Sequence, residues 1–180
     1  TILDVDFSIN DLNEIKRLTL CRESDACFLT LRAETVFDMR NNSIEAVTDG
    51  NALPVGIYIP DTTSPVLVRF ETNLTSEIIT LTFSETVNAS SLNFTAFPLQ
   101  DCCEGIYSFT LTDGTVEEQD STVIRFMFTL HDLNAIKRNT DLFTHRTNSW
   151  LTFTEYAIHD MALEPNNVQP ILNTTVLEDG

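Results

Sequence analysis

At 180 residues, with 42% hydrophobic and 21% charged positions, the chain has the composition of a folded globular protein and the length of one large domain or one and a half small ones. Its 27 acidic residues against 10 basic ones give a net charge of −17, a field that repels phosphate backbones and anionic lipid surfaces, which disfavours nucleic acid and membrane surfaces as partners. No apolar run approaches the roughly 20 residues of a membrane helix, so no membrane insertion is expected, and without a signal peptide before Thr1 the sequence reads as a mature product or an excerpt.

The chain opens with TILDVDFSINDLNEIKR. Leu3, Val5, Phe7 and Ile9 alternate with Asp4, Asp6 and Ser8, the period-two pattern of a strand with one buried face. Asp11 then reads as the N-cap of a short helix, DLNEIKR, with Leu12 and Ile15 on one face and Lys16 and Arg17 at the end where cations suit the helix dipole. Cys21 and Cys27 bracket the polar segment RESDA. Neither this spacing nor that of the adjacent Cys102 and Cys103 makes a zinc site. A Cys21–Cys27 disulfide is preferred over free thiols and implies an oxidising compartment. Disulfide geometry wants Cα atoms about 5.5–6 Å apart, which suits neighbours badly, so Cys102 and Cys103 are expected to reach outward to another subunit. A second strand, FLTLR, carries Leu29 and Leu31.

The proline-bounded DTTSP at Asp61–Pro65 reads as a linker. Ca²⁺ at this junction, with Asp61 as a ligand, is the alternative to a plain turn-forming Asp. Beyond it, Val66, Val68 and Phe70 alternate with Leu67, Arg69 and Glu71, and Ile79, Leu81 and Phe83 with Thr80, Thr82 and Ser84. Both predict half-buried strands. FTAFPLQ is a weaker strand, placed at an edge by Pro98. Tyr107, Phe109 and Leu111 alternate with Ser108, Thr110 and Thr112 up to the turn signal Asp113-Gly114. Glu117, Glu118 and Asp120 read as a solvated loop. In TVIRFMFTL the residues Ile124, Phe126, Phe128 and Leu130 face inward; a helix, DLNAIKR, capped by Asp132, and strands at WLTFT and near PILNTTVL follow.

TVIRFMFTLHDLNAIKR from Thr122 matches the opening TILDVDFSINDLNEIKR without a gap: Thr1, Phe7, Asp11, Leu12, Asn13, Ile15, Lys16 and Arg17 recur as Thr122, Phe128, Asp132, Leu133, Asn134, Ile136, Lys137 and Arg138. After a one-residue adjustment, Leu29, Thr30, Asp38 and Met39 correspond to Leu151, Thr152, Asp160 and Met161. Residues 1–60 thus repeat the second half of a module that spans 61–180, and nothing supplies a first-half counterpart of 61–121. A unit of about 120 residues has the size of an immunoglobulin-like sandwich. On DTTSPVLVRF, LTFSETVNASSL and YAIHDMALEPN, the chain resembles the bacterial-type immunoglobulin-like repeats of surface-layer proteins and very large extracellular proteins of bacteria, algae and protists. The likeness covers 61–180 as a whole module and 1–60 as a truncated one; Asp160 is followed by Met161 rather than the family's small residue and glycine. It implies an all-β fold of tandem sandwiches with one short helix per module, and a scaffold or adhesive role with no catalytic residue.

Enzymatic chemistry is not expected. His131, which aligns with Asn10, and His145 and His159 read as surface histidines; Trp150 stands where Phe28 does in the other copy and reads as core or rim. No metal ligand set is assigned. Acceptor sequons for covalent glycans at Asn41, Asn73, Asn88, Asn93 and Asn173 fit an extracellular or cell-surface glycoprotein. A half sandwich exposes an apolar face and unpaired edges, so something must complete it. The leading expectation is a homopolymer of copies of the chain, or a tandem array, in which Leu3, Val5, Phe7, Ile9, Leu29 and Leu31 form an intermolecular core and the modules build a fibre or surface array. An adhesin or carbohydrate-binding module is the alternative.

Overall fold

The structure, a computed structural model, describes residues 2–102, 104–117, 119–172 and, as backbone alone, 177–178. It is mainly β, with two α-helices and antiparallel sheets. Helix α1 is Ile9–Arg17, and a short pair, β1 (Phe28–Leu29) with β2 (Leu53–Pro54), follows it. The remaining elements are β3 (Leu67–Asn73), β4 (Ile78–Val87), β5 (Pro98–Gln100), β6 (Ser108–Thr110), β7 (Gly114–Val116), β8 (Ser121–Phe128), α2 (Leu130–Arg138), β9 (Trp150–Leu151) and β10 (Leu177–Glu178). One four-stranded sheet runs β3-β4-β8-β7 and the other β10-β9-β5-β6.

The two sheets bury their facing apolar residues in one core. Phe70, Leu81, Ile124 and Phe126 come from the first, Leu99 and Leu151 from the second, and Phe97, beside β5, contacts Phe126 with ring centroids 6.4 Å apart. Leu133 and Ile136 of α2 close one end. Every buried residue lies in this unit: among the described residues 2–60, not one is buried.

Period-two reading held where strands are regular. Ile79, Leu81 and Phe83 in β4, and Ile124, Phe126 and Phe128 in β8, are buried as expected. It failed in β3, where a bulge between Leu67 and Arg69 shifts the register, so that Leu67 and Phe70 face the core while Val66 and Val68 are exposed. Tyr107 is likewise exposed, leaving Leu111 as the buried member of its segment. Pro98 does not mark an edge: β5 pairs with both β6 and β9, and Pro98 is its first residue, a position that tolerates proline. Asp113-Gly114 is not a hairpin either, since β6 and β7 lie in different sheets. Gly114 is there for space, because a Cβ would stand 2.5 Å from Phe94 Cε1 and 2.9 Å from the Met127 carbonyl oxygen.

Both helices begin earlier than the sequence suggests. Thr129 and Ser8 are the N-caps, their hydroxyls accepting from the amides of Asp132 and Asp11, and this frees the two aspartates from capping. Leu130 starts α2 and is exposed, not inward. The freed Asp132 carboxylate is fully buried and accepts from Thr112 N (2.9 Å), Thr112 Oγ1 (2.8 Å) and Asp113 N (3.4 Å), which ties α2 to the β6–β7 crossover. Its repeat partner Asp11 is exposed, its carboxylate accepting from the neighbouring Ser8 hydroxyl alone among the described residues. Asp132→Ala removes the buried acceptor of three hydrogen bonds and is expected to lower stability by about 2 kcal/mol in urea unfolding, whereas Asp11→Ala is expected to change it by only a few tenths.

Candidate functional site

The structure carries the repeat past the point where sequence matching stops. Asp160 accepts from Ala162 N, Asn166 N and Asn166 Nδ2; Asp38 accepts from Arg40 N, Asn42 N and Asn42 Nδ2. The flanking bridges agree, Phe37 with Ser43 as His159 with Asn167, and Leu31 with Val47 as Phe153 with Ile171. The β1–β2 pair likewise matches β9–β10, Leu29 opposite Leu53 as Leu151 opposite Leu177. The first copy of the repeat therefore keeps the local folds of the second.

What it lacks is the second layer. Leu3, Val5 and Phe7 are 67%, 70% and 65% exposed, while their counterparts Ile124, Phe126 and Phe128 are 1%, 1% and 6% exposed. Leu29 is exposed and Leu31 half-buried, against buried Leu151 and Phe153. Residues 2–8 form no ladder with any described strand. Ile9 does not belong with this set, because it begins α1 and its counterpart Leu130 is exposed in the complete module too. Phe7, Leu12, Ile15 and Tyr58 instead line an open, mainly apolar groove of about 630 Å³, closed on its far side by Met161 and Leu163.

One polar junction holds this coreless half to the folded module. Asn13 Oδ1 accepts from Thr86 N (3.1 Å), and the Asn13 carbonyl accepts from Thr86 Oγ1 (2.9 Å). Lys16 Nζ lies 2.7 Å from Asp61 Oδ2 and also donates to Glu85. Asp61, Glu85 and Asp160 bring their carboxylate oxygens within 4.8 Å of one another, and Asn166 Nδ2 donates to the Asp61 carbonyl at 3.1 Å. Arg22 adds a bond to the Ala162 carbonyl at 2.6 Å. Asp61 also forms the turn read from the sequence, its Oδ1 accepting from Thr63 N at 3.0 Å, and the Lys16 ammonium sits on two of the three carboxylates, where a hard cation would otherwise be drawn.

Burial works against the Lys16 charge, but Asp61 and Glu85 outweigh it and hold its pKa above the ordinary lysine value. Burial pushes Glu85 up and Lys16 only partly offsets it. At Asp61 burial is overcome by hydrogen bonds from Lys16 and Thr63, and its pKa falls. The two carboxylates move in opposite directions because Glu85 is the more deeply buried, with 7% of its side chain exposed against 27% for Asp61.

The other expected site residues are dispersed. Cys21 and Cys27 form a disulfide; Cys102 is half-buried and unpaired among the described residues, and Cys103 lies outside them. Asn41, Asn73 and Asn93 are exposed and Asn88 half-buried, while Asn173 lies outside the described residues. Asn93 Oδ1 accepts from Thr95 N and Oγ1, and Asn88 Oδ1 from Ser90 N and Oγ, so both sequons are folded as tight polar turns. His131 and His145 are exposed; His159 is half-buried rather than a surface histidine, its Nδ1 2.8 Å from the Asp160 carbonyl oxygen. Trp150 sits at the rim, its Nε1 donating to the Thr147 carbonyl. Glu117 lies 3.7 Å from Arg125, Asp120 accepts from Ala89 N, and Glu118 is outside the described residues. No described helix is long and apolar enough to cross a membrane. Comparison with known proteins finds no family model, no curated protein and no solved structure that matches the chain.

Lys16→Ala leaves Glu85 as a buried carboxylate without its cation and is expected to weaken the seat of α1 by on the order of 3 kcal/mol, read from hydrogen exchange at the Thr86 amide, with Glu85→Gln in the same chain recovering most of the loss. In the parent chain the raised Lys16 pKa means its contribution is fully present below the ordinary value of 10.5 and lost as pH rises through the folded value. The lowered Asp61 pKa means its contribution is present above 3.8 and lost as pH falls through the folded value. Glu85 in the Lys16→Ala chain has the opposite sign to Asp61: its raised pKa favours the folded seat at low pH, so protection there should fall as pH rises through the Glu85 range.

Proposed function

We propose that the chain is a structural, non-enzymatic segment of an extracellular glycoprotein built from immunoglobulin-like sandwich modules. Its half module is completed by strands of the β3–β7 kind, supplied by a neighbouring chain or by preceding sequence, to form a fibre or surface array. One observation carries this reading: the same apolar positions are exposed in the half module and buried in its complete repeat.

Immunoglobulin-like sandwiches order their strands A-B-E-D in one sheet and C-F-G, extended by C′, in the other. The orders β3-β4-β8-β7 and β6-β5-β9-β10 follow that scheme and support the modular reading. Residues 2–8 then take the place of β8. Since Ile124 faces Leu81 and Phe126 faces Ile79, Leu3 and Val5 are the residues to face the corresponding pair of an incoming strand. Burying Leu3, Val5 and Phe7 contributes about 1.5–3 kcal/mol each, enough to drive strand addition. The Cys21–Cys27 disulfide and the accessible sequons at Asn41, Asn73 and Asn93 favour an extracellular setting.

Sedimentation of the chain beside Val5→Asp and Phe7→Asp variants tests this. The parent is expected to associate with itself or to capture a polypeptide equivalent to residues 61–121. The variants should do neither while keeping the parent's melting temperature, because both side chains are exposed in the free chain. A parent that stays monomeric and captures nothing would overturn the proposal.

A further inference from the structure

The two copies of the helix differ in one respect that their sequences do not explain. In α1, Asn13 and Lys16 are seated on the module that follows, through Thr86, Glu85 and Asp61. In α2 the same residues recur as Asn134 and Lys137, both exposed, and among the described residues neither side chain has a hydrogen bond or ion pair. Arg138 is exposed beside them, and where Arg17 is held by Glu14 at 2.6 Å, α2 has Ala135 in place of that glutamate. The basic face is therefore free of the intrahelical partner that restrains its counterpart.

We infer that the Asn134–Lys137 face of α2 is a docking surface for a further module of the same kind, one that presents a buried Glu-Thr pair at the end of its second strand beside carboxylates matching Asp61 and Asp160. The inference rests on the reading of the chain as tandem modules. Two features support this occupant. Charge is complementary, since Lys137 and Arg138 face outward in a chain of net charge −17 and the acceptor is a cluster of three carboxylates. Geometry is also complementary. Ile78, where β4 begins, pairs with Met127 just before α2, while Val87, where β4 ends beside Glu85 and Thr86, pairs with Ser121. The module thus carries its basic helix at one end and its acidic seat at the other. An interface between unlike ends repeats without closing, so each module passes the contact on and the result is a linear string.

The test uses the full chain with a second copy of residues 61–180 joined after Gly180. Seating by α2 is expected to protect the Thr86 amide of the appended copy from exchange, and Lys137→Glu is expected to speed that exchange by roughly tenfold or more. In the chain without the appended copy, Lys137→Glu should leave stability unchanged. Equal exchange at the appended Thr86 with and without Lys137→Glu would overturn the inference. A second measurement does not depend on the appended copy folding: a Lys16→Glu chain, whose own seat is vacated by repulsion, is mixed with a chain carrying the native Lys16, both bearing Val5→Asp. Co-sedimentation that Lys137→Glu on the second chain abolishes supports α2 docking, and its absence at every concentration overturns it. Because Val5→Asp silences the exposed strand, failure here leaves the strand-completion proposal standing, and failure of that proposal leaves this one to be decided by its own data.

Discussion

The Lys16 ammonium is the contact that makes the two halves of this chain one object. It belongs to a helix with no buried residue of its own, and it reaches carboxylates that the neighbouring module has already taken out of water. A buried Glu85 without a cation would be costly, so the seat needs the lysine as much as the helix needs the seat. Asn13 adds direction by pairing with both the amide and the hydroxyl of Thr86, which sets where α1 sits on the end of β4. Within residues 2–60 the remaining order is their own: α1, a disulfide loop, a two-residue strand pair, the Leu31–Val47 bridge, an Asp–Asn turn and the Tyr58 hydroxyl on the Arg22 carbonyl.

The duplication acts as an internal control on what burial contributes. One segment occurs twice in the same chain, once with neighbouring strands and a facing sheet around it and once without. Where the neighbouring strands and the facing sheet are present, Ile124 and Phe126 pair with β4, and Asp132 gathers three donors from the crossover. Where they are absent, Leu3 and Val5 remain in solvent and Asp11 turns back to Ser8. The helix, the Asp–Asn loop and the short strand pair form in both, because their hydrogen bonds are local. Residues 2–8 join no described strand, because a ladder, unlike a cap or a loop bond, depends on a partner remote in sequence.

Much of this was legible in the residues. Strict alternation placed β4 and β8, because a regular strand between two layers has no choice about which side chains face in. The pairing of Cys21 with Cys27 follows from short spacing across a polar loop, and the turn at Asp61 follows from an aspartate before Thr and Pro. Other features were hidden for identifiable reasons. A bulge in β3 costs one residue of register and moves Leu67 inward without any change of composition. Pro98 begins a central strand, which its identity alone argues against, because only position within the strand makes it tolerable. Glu85, buried in the seat, has the look of an ordinary polar residue at a strand end; its partner Lys16 is 69 residues away.

By itself, then, the sequence determined the repeat, the periodicity of the regular strands and the amphipathic helices, all of which are properties of neighbours along the chain. Only the tertiary structure decided that Thr129 and Ser8 rather than the aspartates cap the helices, and that Asp38 and Asn42 continue the repeat in a loop of different length. It also decided that Lys16 stands among Asp61, Glu85 and Asp160 while its twin Lys137 stands in water. The reason is physical: caps and loop bonds depend on backbone direction, and a charge becomes buried only when segments remote in sequence meet around it, so the same lysine in the same helix is a lock in one copy and an open contact in the other.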